Sequence, residues 1–152
     1  MFEFIITLGL AILLGLAIGL ERTYAHKTAG MRTYALVTLA GALFMVINRS
    51  LIEMYGVESL DTARIVAALI SGIGFLGAGI IIFRENHLSN LTTAAGIWVA
   101  VAVGVFVGMG LFAEACIATL MILFVLRIVS YGEHVLREQL IDTESENHDH
   151  EQ

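Results

Sequence analysis

The sequence predicts an all-α membrane protein, a bundle of five transmembrane helices. Of the 152 residues, 58% are hydrophobic and only 14% are charged, whereas soluble domains average about half apolar and a quarter charged. The apolar residues stand in long blocks rather than at every second position, and this pattern disfavours a transmembrane β-barrel. Both observations place the helices in lipid.

Four uncharged blocks provide the five spans. The blocks cover residues 4–20, 33–48, 65–83 and 88–126, with Glu114 as the only interruption. A helix of roughly 20 residues crosses about 30 Å of hydrocarbon, so each of the first three blocks predicts one span. The fourth block is long enough for two. The residues that can reverse the chain within it are Gly104, Gly108 and Gly110.

The positive residues predict the orientation. The hairpin after the first span, residues 21–32, carries Arg22, Lys27 and Arg32, and positive residues favour the cytoplasmic side. With five spans, the N-terminus then lies outside and the C-terminus lies in the cytoplasm. Residues 1–4 contain no positive charge, so the first span does not resemble a cleaved signal peptide.

The charge distribution predicts two regions. Residues 1–130 form the transmembrane domain, with seven acidic and seven basic side chains, whereas residues 131–152 hold seven acids against Arg137 alone. This second region therefore carries the whole net charge of -6, and we expect an acidic cytoplasmic tail that is partly disordered. His148 and His150 offer weak ligands for a divalent ion, but a solvated terminus is the simpler interpretation.

The third span contains many glycines. Gly72, Gly74 and Gly77 spell G-x-G-x-x-G, but a dinucleotide site needs that motif between a strand and a helix, with an acid about 20 residues further on. This context is missing, so a nucleotide site is disfavoured. We predict instead that these glycines and Gly79 let neighbouring helices approach closely, which makes this span the packing core of the bundle. A locally unwound backbone that coordinates ions is the alternative.

The first span carries a second small-residue motif. Gly15 and Gly19 form G-x-x-x-G, which is typical of close helix–helix contacts in membranes. The motif predicts either a groove that faces the third span or the seam of a homodimer.

Two ionisable residues directly adjoin the end of the first span. Glu21 and Arg22 lie next to hydrocarbon, where such groups pair or face water. Adjacent residues on a helix do not face each other, so we expect their partners elsewhere, with Arg32 across the hairpin and Arg84 as candidates. The pair serves either as a structural ion pair or as a ligand or partner site.

Polar residues also precede the third and fourth spans. Asp61 is a predicted N-cap with Arg64 three residues along, and Asn90, Thr92 and Thr93 are capping residues before the fourth span. Capping is the simplest interpretation, although exposed helix N-termini also bind anions. Trp98, deeper in the fourth span, either packs against a neighbour or lines a cavity.

Three blocks of the sequence resemble the MgtC/SapB family of prokaryotic inner-membrane proteins. They read GLERTYAHKTAGMRTYALVTLAGA, DTARIVAALISGIGFLGAGIII and LTTAAGIWVAVAVG, in the family's order over about residues 9–110. The resemblance implies a five-helix domain in the inner membrane with the N-terminus outside. Asn90 departs from it, because the family often has glycine there, and the resemblance therefore does not extend to the backbone shape of this loop.

The resemblance also implies site residues and a function. The family's motifs match the Glu-Arg pair, the Arg-Thr pair at Arg32 and Thr33, the Asp-x-x-Arg run at 61–64, the glycine run at 72–79 and the run at 91–95. Family members are linked to growth in low magnesium and to survival in macrophages, and some are thought to restrain the F-type ATP synthase. Longer members carry a cytoplasmic domain of ACT-like fold, which this sequence is expected to lack.

Three functions remain open at the level of sequence. The first is a non-enzymatic regulator that binds other membrane proteins, as a monomer or a homodimer. The second is an ion or solute transporter that uses the charged groups at the helix ends and is opened by the third span. The third is a lipid-binding or envelope-stress role. No nucleophile with a base, metal triad or phosphate loop is present in the sequence, so we expect no catalysis, no bound metal or cofactor and no nucleic-acid partner.

Overall fold

The computed structural model describes residues 1–56, 62–84 and 87–129. Within these ranges the helices are α1 (Phe2–Tyr24), α2 (Met31–Tyr55), α3 (Thr62–Ile80), α4 (Leu91–Gly108) and α5 (Phe112–Phe124), and α5 continues as a π-helical turn, Val125–Val129. Two short antiparallel strands, β1 (Ile82–Arg84) and β2 (His87–Ser89), connect α3 to α4.

The prediction of five spans is confirmed by length and composition. In the described residues, five helical segments of 18 to 25 residues are apolar enough to cross a membrane, the last of them Phe112–Val129. The chain reverses between α4 and α5 at Gly110, whose φ of 81° lies in the left-handed region that glycine adopts without steric cost. The acidic tail lies outside the described residues, and the orientation in the membrane stays a prediction.

The strands were not predicted, because the uncharged block continues through them. The block ends with Ile80, Ile81, Ile82 and Phe83, and β-branched and aromatic residues favour extended backbone once a helix has ended. The third span is therefore shorter than the apolar block, ending at Ile80.

Contacts at the start of α1 define one end of the bundle, here called the Glu3 end. Arg49 Nη1, near the end of α2, donates to Glu3 Oε1 at 3.1 Å. Asn48 Nδ2, also on α2, donates to Thr62 Oγ1 at the start of α3, at 3.0 Å. The start of α1, the end of α2 and the start of α3 therefore lie together.

The opposite end is here called the Arg22 end. Arg22 Nη2, near the end of α1, donates to Leu126 O in the π-helical turn after α5, at 3.3 Å. Asn90 Nδ2, before α4, donates to Ile80 O at the end of α3, at 3.2 Å. The described chain thus starts at one end and reaches the other, as an odd number of spans requires.

The core of the bundle is formed by α1, α2 and α4. Glycines of α2 and α4 remove the side chains that would separate these helices: a Cβ on Gly41 would lie 2.5 Å from Val101 O, and one on Gly108 would lie 2.6 Å from Ala42 O. Thr38 is fully buried at the centre. Its Oγ1 donates to Ala11 O of α1 at 2.8 Å, and its backbone lies directly against Gly104 of α4, so this residue contacts both neighbouring helices.

The structure contradicts the prediction that the third span is the packing core. A Cβ on Gly72, Gly74 or Gly79 would meet nothing within 4 Å, and one on Gly77 would make only an ordinary contact, 3.7 Å from Ala94 O. The reason is the position of α3: 11% of its most apolar window is buried, against 56% for α4. Helix α4 takes the central place, and α3 lies along its flank.

The G-x-x-x-G motif of α1 faces α2 rather than α3. A Cβ on Gly19 would lie 2.5 Å from Met31 Cα, and one on Gly15 would lie 2.8 Å from Ala35 Cα. Both glycines are buried within the single chain. Their close contacts therefore hold the first hairpin together, and they are not available as a seam between two copies.

Candidate functional site

A buried ion pair lies at the Arg22 end. The side chains of Arg22 and Glu21 are 2% and 10% exposed, and Arg22 Nε donates to Glu21 Oε2. The prediction that these neighbours would not pair is wrong. Adjacent residues leave a helix about 100° apart, but the arginine side chain is long enough to fold back across this angle.

Arg32 does not take the place predicted for it. Its side chain is exposed at the start of α2, and in the described residues no ion pair joins it to Glu21. The side chain of Arg84, the other predicted partner, lies outside the described part of the structure. The Glu21 carboxylate is therefore neutralised by its own neighbour.

The second contact of Arg22 connects α1 to the end of α5. Its Nη2 donates to Leu126 O, a carbonyl of the π-helical turn Val125–Val129. Single π-helical turns are rare and frequently occur at functional sites. A buried guanidinium thus joins a carboxylate on its own helix to a backbone carbonyl of another helix.

Tyr34 extends this buried polar group and was missed at the level of sequence. Its side chain is fully buried, and its hydroxyl lies 3.5 Å from Thr93 O, at the long limit of a hydrogen bond. The charges of Arg22 and Glu21 both act on it. A signal was present in the sequence, because a tyrosine hydroxyl inside an apolar span needs a partner. We call Glu21, Arg22, Tyr34 and Thr93 the Arg22 cluster.

Gly96 makes room for the tyrosine. A Cβ at this position would collide with the Tyr34 hydroxyl. The glycine one turn from Thr93 on α4 therefore admits the phenol ring between α2 and α4, and any larger residue would displace it.

The other predicted site residues do not join the Arg22 cluster. Thr92 is exposed, whereas Thr93 is buried, and Thr33 is partly buried at the start of α2. Arg64 is exposed at the start of α3 and therefore lies at the Glu3 end. Asp61 lies outside the described residues. The predicted candidates thus fall into two groups at opposite ends of the bundle rather than into one site.

Asn90 connects three segments at the Arg22 end. Its Oδ1 accepts from Thr28 Oγ1 at 2.9 Å, in the hairpin between α1 and α2, and its Nδ2 donates to Ile80 O. As the N-cap residue of α4 it makes no side-chain capping bond, so the capping predicted for it is not observed. Its φ of 68° lies in the region that glycine favours and that asparagine tolerates better than most residues.

The Glu3 end carries an exposed ion-pair triad. Arg49 lies between Glu3 and Glu53, at 3.1 and 3.2 Å, and all three side chains are more than 60% exposed. They line a cavity of about 300 Å³ at the turn between α4 and α5. Exposed pairs of this kind contribute little stability. In the described residues, no group of three or more His, Cys, Asp or Glu side chains is placed to hold a metal ion.

Trp98 lines a small apolar space at the edge of the bundle. Its side chain is 47% exposed and lies on the flank of α4, beside a space of about 120 Å³ shared with Val66 and Ile70 of α3. Both interpretations of this residue therefore apply, because it packs beside α3 and lines the space between the two helices.

Comparison with known proteins identifies relatives over most of the chain. The model of the MgtC family matches residues 8–134. The "Putative magnesium transporter YhiD" of Escherichia coli K12 is 40% identical over 129 residues, which cover 83% of this chain and 60% of that protein. "Protein MgtC" of Brucella abortus is 44% identical over 115 residues, which cover 76% of this chain and 46% of that protein.

"Protein MgtC" of Salmonella typhimurium is 41% identical over 124 residues, or 81% of this chain and 51% of that protein. The chain thus spans about half to three fifths of the length of these curated relatives. No solved structure matches it.

Proposed function

This chain belongs to the MgtC family, and on that premise we propose that it is a non-enzymatic regulator that acts by binding other membrane proteins. We propose that it acts as a multi-pass protein of the bacterial inner membrane. Its role is in adaptation to low magnesium, acid or host stress, and the F-type ATP synthase is the partner that the family resemblance implies.

The observation that carries the proposal is the outward face of α3. This face presents Ala67, Ser71, Gly74 and Ala78, which recur at intervals of four, three and four residues and are all exposed. Small residues let the backbones of two membrane helices approach closely, whereas against lipid they offer little contact area. We call these four residues the small face, and it fits a helix of a partner protein.

The closed centre of the bundle also favours a regulator rather than a transporter with a central pore. Ala100, Val103 and Val107 of α4 are at most 1% exposed, and the Thr38 hydroxyl is bound to backbone carbonyls. Polar groups inside these spans therefore hold the helices together. In this conformation the centre of α1, α2 and α4 contains no row of free polar groups among the described residues.

A transporter is the second candidate. The name of the Escherichia coli relative, "Putative magnesium transporter YhiD", supports it. The Arg22 cluster also supports it, because buried ionisable groups in membranes commonly belong to ion or proton pathways. Magnesium itself prefers several oxygen ligands in octahedral geometry, whereas the Glu21 carboxylate is already engaged by Arg22. This candidate therefore needs a second conformation in which that pair separates.

Photocrosslinking in native membranes tests the regulator proposal. A photoreactive residue in place of Gly74 should give a discrete adduct with another protein, whereas the same residue in place of Leu13, which is 64% exposed on α1, should react only with lipid. An adduct between two copies of the chain would identify a homodimer. Crosslinking that is equally weak at both positions would contradict the proposed contact.

Flux measurements separate the two candidates. Purified protein in liposomes should not accelerate the movement of magnesium or protons if it acts only through partners. An accelerated flux that disappears in Glu21→Gln would establish the transporter and overturn the regulator proposal.

A further inference from the structure

The cavity of about 300 Å³ at the Glu3 end is lined mainly by polar groups. It lies between the start of α1 and the end of α2, beside the turn that joins α4 to α5. A water molecule takes up about 30 Å³ in the liquid, so the space corresponds to about ten waters and admits a small solute. We call it the Glu3 cavity. Its polar and aromatic side chains are those of Glu3, Phe4, Thr7, Arg49, Ser50 and Glu53.

The Thr7 hydroxyl is an unused hydrogen-bonding group in the wall of the Glu3 cavity. Thr7 is only 6% exposed, yet its side chain makes no hydrogen bond to any residue that the structure describes. Thr23 on the same helix and Thr119 on α5 instead donate to the carbonyl one turn earlier, at 2.9 and 2.8 Å. Unlike Asn48 Oδ1, the Thr7 oxygen is not fully enclosed. Because buried polar groups normally have a partner, this hydroxyl marks a position for one inside the cavity.

The charged side chains of the cavity favour a cation. Glu3 and Glu53 each accept a hydrogen bond from Arg49 through Oε1, and within the described ranges the second oxygen of each carboxylate has no partner. Two carboxylates against one guanidinium leave these side chains with a net negative charge. The exposed ion pairs themselves contribute little stability. An anion would meet two like charges here, whereas a cation would meet two free carboxylate oxygens.

The wall of the cavity suits an ammonium ion better than a metal ion. Divalent metal ions prefer several oxygen ligands in a defined geometry, whereas here the Arg49 guanidinium lies between the two carboxylates. An ammonium group carries N–H donors, and the free carboxylate oxygens and the Thr7 hydroxyl are acceptors for them. Phe4 adds an aromatic ring to the wall, and the faces of such rings attract ammonium ions.

We propose that the Glu3 cavity binds a small primary ammonium group, supplied by a soluble amine or by the ethanolamine headgroup of a phospholipid. Glu3 and Glu53 supply the negative charge. Thr7, one helical turn further along α1 than Glu3, accepts an N–H hydrogen bond. The site is independent of the regulator proposal, because it uses neither the small face nor the Arg22 cluster.

Equilibrium dialysis of labelled ethanolamine against the purified full chain in an uncharged detergent tests the site. Choline is the matched probe, because it keeps the positive charge and the hydroxyl of ethanolamine but has no N–H donor. Ethanolamine should bind at one site per chain and about tenfold or more tightly than choline, which is the factor that one hydrogen bond to a charged group provides.

Substitutions in the wall test the residues. Thr7→Val keeps the shape of the side chain and removes the hydroxyl, so it should weaken ethanolamine binding about two- to tenfold, the range of one hydrogen bond. Thr119→Val is the matched control, because Thr119 is as deeply buried but its hydroxyl is bound within α5. It should leave binding unchanged. The double variant Glu3→Gln, Glu53→Gln should weaken binding about tenfold or more, because Arg49 then makes the wall positive.

Nanodiscs distinguish the two sources of the ammonium group. If the headgroup of a lipid occupies the cavity, labelled ethanolamine should bind in nanodiscs of phosphatidylcholine and be excluded in nanodiscs of phosphatidylethanolamine. If the ligand is a soluble amine, ethanolamine should bind equally in both.

Four outcomes would overturn the proposal. The first is the absence of saturable ethanolamine binding, because the cavity would then hold only water. The second is equal binding of ethanolamine and choline. The third is unchanged binding in Thr7→Val or in the double glutamine variant. The fourth is displacement of labelled ethanolamine by magnesium chloride at lower concentrations than by unlabelled ethanolamine at equal ionic strength, because the cavity would then be a metal site.

Discussion

The contact of α2 with α4 makes a quantitative prediction about Gly104. A Cβ added there would collide with Thr38 O and lie 2.9 and 3.0 Å from Thr38 C and Cα. All three are backbone atoms of a buried residue, so no side-chain rotation relieves the overlap. Gly104→Ala must therefore push α4 away from α2, whereas Gly74→Ala places the same methyl group in open space.

Apart from this overlap, the two substitutions should change the free energy of unfolding in the same way. Each replaces glycine by alanine inside a helix, which favours the helix by about 1 kcal/mol. Overpacking a close contact costs about 1–3 kcal/mol, and the rigid backbone of Thr38 places Gly104→Ala near the upper limit. We therefore expect Gly104→Ala to be less stable than Gly74→Ala by about 3 kcal/mol, with Gly74→Ala equal to the wild type or slightly more stable.

Unfolding by sodium dodecyl sulfate in mixed micelles measures this difference. The fluorescence of Trp98, the single tryptophan, reports on it because that residue lies on α4 beside α3. Equal stabilities of the two variants would refute the α2–α4 contact. A larger loss of stability in Gly74→Ala than in Gly104→Ala would instead indicate that α3 belongs to the packing core.

Three further substitutions test the Arg22 end. Arg22→Met leaves Glu21 buried without its partner, so the same titration should show a loss of about 3–5 kcal/mol, largely recovered in the double variant with Glu21→Gln; equal losses in single and double variants would refute the pair. Asn90→Gly should be more stable than Asn90→Ala by about 1–2 kcal/mol, the cost of the left-handed conformation for a residue with a Cβ, and the reverse order would refute that conformation. In a Cys116→Ser background, Thr28→Cys should react with a membrane-impermeant thiol reagent only after cells are opened; reaction in intact cells would invert the predicted orientation.

The sequence predicts the spans well because lipid imposes them. In hydrocarbon, the backbone N–H and C=O groups must form their hydrogen bonds within the protein, as they do in a helix. An uncharged block of sufficient length therefore already predicts a transmembrane helix. The reversal at Gly110 follows for a related reason, since a block twice the required length must turn and glycine adopts the necessary φ. Neither inference depends on which helix packs against which.

Packing partners are harder to predict, and the glycines show why. The sequence offers Gly104 and Gly108 as turn residues, yet both lie inside α4 and contact α2 closely. Gly72 and Gly74 have open space instead. A glycine permits a close approach wherever it stands, but the spatial order of the helices decides whether a neighbour is there. That order depends on all the interhelical contacts together, and composition does not reveal it.

The position of α3 separates the small face from the side of this helix that faces α2. Gly74 belongs to the small face, whereas Gly72 lies about 200° further round the helix, beside Phe44 of α2. A leucine at position 74 should therefore remove a partner contact, whereas a leucine at position 72 should leave that contact in place. If both substitutions removed it, the common cause would be a displacement of α3, whose most apolar window is only 11% buried.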